Sequence, residues 1–141
     1  MKKRKGIRDG AYRHTEDIIR SFHKYPRWIK ELEEKLLYPH KEIDANQGTG
    51  GNLPSSPTEN TAMSLISDNK LQQMKREYEQ LLEMLAKTDD KTKRIIELWY
   101  IERPQTKTWD GISLEVGLTK RQCFRLRDAF IKELAEKLII F

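Results

Sequence analysis

Arg121 and Arg125 stand four residues apart near the start of a candidate helix. That spacing puts two guanidinium forks on one helix face, and such forks match O6 and N7 of guanine in a major groove. Lys120 and Thr119 precede them at the positive end of the helix, where phosphate is favoured, and Phe124 is suited to meeting a thymine methyl group. With Gln122, these residues form the candidate contact set for double-stranded DNA: Thr119, Lys120, Arg121, Gln122, Phe124 and Arg125.

Such a surface needs a helix held by a second one across a tight turn. The stretch 109–128 has that pattern, because Ile112, Val116, Leu118, Cys123 and Leu126 fall on the inward face of two helices meeting at Gly117. Glycine takes the left-handed conformation that ends a helix most readily. Ser113 is small where the second helix crosses the first. Thr119 and Gln122 have the spacing of a capping box, which satisfies amide donors left unpaired at a helix start. An ordinary helical hairpin with a solvated charged face is the bland alternative. The agreement of cap, glycine, core spacing and cation placement favours a helix-turn-helix.

Catalytic chemistry has poor candidates. His14, His23 and His40 are scattered, without partners at metal-ligand spacing, and no nucleophile motif accompanies them. Glu31, Glu33 and Glu34 read as helix-surface acids, with Glu31 and Lys35 at a favourable spacing. The glycines at 48, 50 and 51 lack the following lysine and hydroxyl of a phosphate-binding loop. Cys123, the single cysteine, reads as a small buried hydrophobe. The expectation is a protein that is not an enzyme and takes no cofactor or metal.

The 141 residues carry a net charge of +5, unevenly spread. Residues 1–38 hold 11 basic and 6 acidic side chains, 39–88 hold 5 and 7, and 89–141 hold 11 and 9. Basic ends around an acidic middle suit a polyanion touched at two places. No apolar run reaches membrane-spanning length and no apolar segment follows the basic start, so a cytoplasmic location without membrane contact is expected.

The chain opens with Lys2, Lys3, Arg4 and Lys5, followed by Arg8 and Arg13, read as a basic arm over 1–13 that either contacts phosphate or is simply solvated. Thr15, Glu16 and Asp17 read as a helix start. From Ile18 through Phe22, Tyr25, Ile29, Leu32 and Leu36 a heptad seam follows. Pro26 interrupts it, and the unbroken seam favours one kinked helix over two helices. Pro39 ends the element, and 40–55 reads as a flexible loop. Ser56, Pro57 and Glu59 mark the start of a helix running to about Lys87, whose later half repeats the heptad through Leu71, Met74, Tyr78, Leu81 and Leu85. The two seams predict a helical hairpin over 14–87, a homodimer surface, or both; Met63, Ile66 and Leu82 leave apolar surface beside it.

The segment 88–141 is expected to be a three-helix DNA-binding domain. Thr88 caps its first helix, Ile95, Ile96, Leu98, Trp99 and Tyr100 supply core, Pro104 stops it, and Thr108 caps the next, in which Trp109 packs back on Trp99 or Tyr100. Phe130, Leu134 and Leu138 carry the inward stripe onward, and Ile139, Ile140 and Phe141 form a terminal apolar cluster that closes the core or meets a partner.

The stretch 88–138 resembles region 4 of bacterial sigma factors in its Ile95, Ile96, Leu98 and Tyr100 helix, its Thr108 cap, its Gly117-Leu118-Thr119 turn and its Arg121 and Arg125. The whole chain is similar to the RinA-type phage transcriptional activators. The residues carrying that likeness are the early heptad helix ending at Leu36 and Leu37, the loop with Gly50, Gly51 and Asn52, the Pro57-Thr58 helix start, and Pro104-Gln105-Thr106-Lys107-Thr108-Trp109. The resemblance implies an all-α protein that binds DNA near a promoter and activates late phage genes, with RNA polymerase as a further partner. Gly111-Ile112-Ser113 stands where sigma region 4 usually has Glu-Ile-Ala, and Phe124 is expected to put an aromatic ring on the outward face; both depart from a reader of the standard promoter −35 element. Two other readings stay open: a terminase small subunit that recognises DNA for packaging, and a coiled-coil adaptor with no DNA role.

Overall fold

The computed structural model describes residues 7–37 and 57–141, and those residues are all-α, with no strand among them. We label the helices α1 (Asp9–Arg20), α2 (Tyr25–Leu37), α3 (Pro57–Lys87), α4 (Asp90–Ile96, continued by a π-helical turn at Glu97–Ile101), α5 (Trp109–Val116) and α6 (Lys120–Lys137). The basic side chains at 2–5, the loop at 40–55 and the Ser56 cap lie outside the described residues.

The chain divides into two compact units, one of residues 1–23 with 77–141 and one of residues 24–76. The boundaries expected at 13/14 and 87/88 therefore differ from the observed division. The first helix is the cause. It begins at Asp9, ahead of the expected Thr15 start, because its apolar face begins at Ala11 and Tyr12 and continues through Thr15, Ile18 and Ile19. Thr15 is fully buried in mid-helix, where its hydroxyl donates to the Ala11 carbonyl at 2.8 Å. That face packs on α6 and on the π-helical turn.

The single kinked helix expected across Pro26 is two helices. Ser21 ends α1, with its amide and hydroxyl both donating to the Asp17 carbonyl. Pro26 is the second residue of α2, a position that needs no amide donor. The heptad spacing therefore crosses a turn, and Ile18 and Ile29 belong to different units.

Within the unit of 24–76, α2 is half-buried along Ile29, Leu32 and Leu36, while Leu71 and Met74 of α3 are buried. Lys75 Nζ and Glu33 Oε2 pair at 3.0 Å, bringing α2 and α3 together there. Leu37, Leu65 and Ile66 are exposed.

In the other unit, Leu81, Met84 and Leu85 of α3 are buried, and the Phe22 and Tyr78 rings meet with centroids 5.7 Å apart. Asp89, one residue later than the expected Thr88, caps α4: its carboxylate accepts from the Thr92 amide at 3.0 Å and the Thr92 hydroxyl at 2.7 Å. The Thr92 hydrogen bonds hold the Asp89 carboxyl below its ordinary pKa. Its contribution is therefore present above the unfolded carboxyl pKa and lost as pH falls through the lowered folded value. Asp89→Ala should cost about 1 kcal/mol at neutral pH, and urea titrations repeated at falling pH should show that difference shrinking.

Ile95, Leu98, Ile112, Val116 and Cys123 make the core under the turn between α5 and α6, with Trp99, Trp109, Leu118 and Leu126 packed around it. Burial raises the pKa of the Cys123 thiol, keeping it protonated as a core side chain. Leu138 closes the stripe after α6, whereas Ile139 and Phe141 are exposed. No helix among the described residues is long and apolar enough to cross a membrane.

Candidate nucleic-acid interface

The turn between α5 and α6 is built as its residue types dictate. Gly117 takes φ 74°, the left-handed conformation that ends α5, and its amide donates to the Ser113 carbonyl at 3.0 Å. The Ser113 hydroxyl donates to the Leu118 carbonyl, so the small residue at the crossing also satisfies the backbone of the turn. Thr119 caps α6. Its Oγ1 accepts from the Gln122 amide at 3.1 Å, and its own amide donates to Gln122 Oε1 at 2.9 Å. With both reciprocal bonds made, the start of α6 is fixed against the end of α5.

The six candidate residues separate into distinct roles on this frame. Arg121 and Arg125 are exposed one turn apart, and neither makes an ion pair or hydrogen bond among the described residues. Thr119 and Gln122 are exposed, yet their polar atoms serve the capping box, so the Gln122 carbonyl is engaged within the helix start. Lys120 Nζ pairs with Asp110 Oδ1 of α5 at 3.1 Å.

Phe124 departs from the fully outward position expected of it. The ring is half-buried, edge-on to Trp109 with centroids 4.9 Å apart, and Trp109 in turn lies 4.6 Å from Trp99. The Arg127 guanidinium sits 4.8 Å from the Phe124 ring centre and 5.2 Å from that of Trp109. An aromatic stack capped by a cation thus supports the helix from beneath. A thymine contact by Phe124 would use only the remaining exposed edge of that ring.

This support continues to α1. Arg127 Nε pairs with Asp128 Oδ1 at 3.0 Å, and the Tyr12 hydroxyl donates to the same oxygen at 2.5 Å. Nearby, the Tyr100 hydroxyl donates to Glu16 Oε2 at 2.6 Å, and Arg20 lies 5.2 Å from the Tyr100 ring centre. Burial first, and the facing carboxylates second, raise both phenol pKa values well above the ordinary range. Both hydroxyls therefore remain donors across the accessible pH range.

The other end of α5 is held by charge. Glu115 accepts from Arg94 Nε at 2.6 Å, while Arg94 Nη1 reaches Glu102 at 2.7 Å and Glu97 at 3.5 Å. The Arg94 hydrogen bond holds the Glu115 carboxyl below its ordinary pKa. Lys107 also approaches Glu115, at 3.5 Å. In the connecting segment, Gln105 donates to the Leu98 and Lys107 carbonyls, tethering the chain before the Thr108 cap. Thr108 then accepts from the Gly111 amide at 3.1 Å.

Asp110 and Leu114 were not singled out by the sequence pattern. Leu114 is 85% exposed, four residues after Asp110 on α5, and joins no part of the core cluster. The pairing of Asp110 with Lys120 arises only when α5 and α6 are folded together, since the two are ten positions apart. Among the described residues, no group of three or more His, Cys, Asp or Glu side chains is arranged to hold a metal ion.

A family model described as "Protein of unknown function (DUF722)" matches residues 17–136. Comparisons with curated proteins and with solved structures give no match.

Proposed function

We propose that this chain, which belongs to the DUF722 family, is a sequence-specific DNA-binding transcriptional regulator that reads duplex DNA with the first turns of α6. The observation carrying this reading is the pair Arg121 and Arg125: two exposed guanidinium groups, one turn apart and without protein partners among the described residues, on a helix start held by a capping box and a left-handed glycine turn. The other three arginines of residues 88–141, Arg94, Arg103 and Arg127, all have protein partners. Unpaired planar forks on a rigid helix fit bidentate recognition of guanine.

The resemblance to RinA-type activators makes late phage genes the proposed target, RNA polymerase a proposed partner and the bacterial cytoplasm the proposed place of action. Self-association through α2 and α3 belongs to the same reading, supported by the heptad spacing and by exposed Leu37, Leu65 and Ile66.

Selection of duplexes from a random DNA library with the purified full chain tests this function. A compact enriched motif containing guanine is expected. Salt-sensitive binding without a motif would remove sequence-specific regulation, leaving packaging or architecture; no duplex binding would remove the DNA role.

A further inference from the structure

Among Lys120, Arg121 and Arg125, only Lys120 has a protein partner among the described residues, and that partner is a carboxylate. Asp110 lies in the first turn of α5 and Lys120 is the first residue of α6, so their 3.1 Å contact joins the starts of both helices. The side chains are 77% and 53% exposed, respectively, so the pair is solvated. An exposed ion pair of this kind adds little stability and breaks readily. Its location has a larger electrostatic consequence. Helix starts carry positive partial charge and suit phosphate, and Asp110 brings negative charge to the same place.

We propose that Asp110 limits this chain's affinity for non-specific DNA by competing with backbone phosphate for the Lys120 ammonium. The inference rests on the DNA-binding reading above. In the free protein Lys120 is held by Asp110. On DNA the ammonium turns to a phosphate oxygen, and the released carboxylate then repels neighbouring phosphates. Arg121 and Arg125 are unaffected by this exchange, so base reading keeps its strength while attraction to any backbone is reduced. The result is a smaller sequence-independent contribution to DNA affinity, with base reading left as it was.

The test measures binding of the full chain to a mixed-sequence DNA duplex by fluorescence anisotropy over a range of salt concentrations. Asp110→Asn is expected to bind about three- to tenfold more tightly at low salt, through release of a weak surface pair and loss of repulsion. Its curve should converge with that of the unaltered chain as salt rises, because screening weakens the repulsion. Asp110→Ser, which removes the charge while leaving a small polar side chain and the Thr108 cap in place, should behave alike, and melts followed by circular dichroism verify that each variant is folded. In a Lys120→Met background, Asp110→Asn should gain much less, since no ammonium remains to be released. Equal affinities of Asp110→Asn and the unaltered chain at every salt concentration would overturn the inference while leaving DNA binding intact. A full gain in the Lys120→Met background would also overturn it, assigning the effect to repulsion alone. Absence of salt-dependent duplex binding by the unaltered chain would instead overturn the underlying reading, and the inference with it.

Discussion

Alanine at Arg121 or Arg125 is expected to weaken binding to the selected DNA motif by about 1 to 3 kcal/mol each, roughly 5- to 150-fold in Kd. Both side chains are exposed and lack protein partners among the described residues, so the truncations leave no buried charge uncompensated and should scarcely change stability. The loss should be concentrated on the motif. If the arginines read guanine edges, each alanine variant relaxes preference at one position while affinity for mixed sequence changes much less. Lysine substitutions separate the two modes of contact. Lysine keeps the charge and loses the fork, so Arg121→Lys and Arg125→Lys should remain impaired if the contact is to a base and should recover most binding if it is to phosphate. Equilibrium titrations of the four variants against the motif and against mixed sequence decide this, and unchanged curves for both alanine variants would take Arg121 and Arg125 out of the interface.

The second large effect is predicted far from that surface. Ile19 of α1 is fully buried, on the face that meets α6 and the π-helical turn. Ile19→Ala should therefore cost about 2 to 5 kcal/mol, by lost burial and by the cavity left behind. A basic arm and a separate N-terminal hairpin would predict almost no effect on the C-terminal helices. Chemical denaturation followed through Trp99 and Trp109, in chains where Trp28 is replaced by Phe, reports on the unit that contains α1 and α6. A midpoint unmoved by Ile19→Ala would remove α1 from that unit.

The two predictions mark the limits of what the residue pattern reveals. Around Gly117 the determinants are local: a glycine at the only φ above zero in the turn, a cap with its reciprocal glutamine three residues later, and apolar residues at helical spacing. Interactions of that range are written in consecutive residues, so the sequence states them directly. The same holds for Pro57 at the start of α3 and for the all-α class.

At α1 the periodicity was equally visible but its partner was not. Ile18, Phe22, Tyr25 and Ile29 keep heptad spacing across Pro26, and spacing alone does not distinguish one helix from two that a turn happens to bring into phase. Leu71 and Leu85 likewise share one seam of α3 while belonging to different compact units. A heptad records which face is apolar and carries no record of what covers it.

Sequence by itself therefore determined the all-α class, the Thr108 and Thr119 caps, the left-handed turn and the exposed face carrying Arg121 and Arg125, because each depends on residues within one or two turns of one another. Tertiary structure alone decided that α1 packs on α6, that Tyr12 and Tyr100 donate to Asp128 and Glu16, that Phe124 is drawn onto Trp109, and that Asp110 meets Lys120. Those contacts join residues from ten to 116 positions apart. Closing such distances requires the folded core, and many alternative partners satisfy the same local pattern until that core selects one.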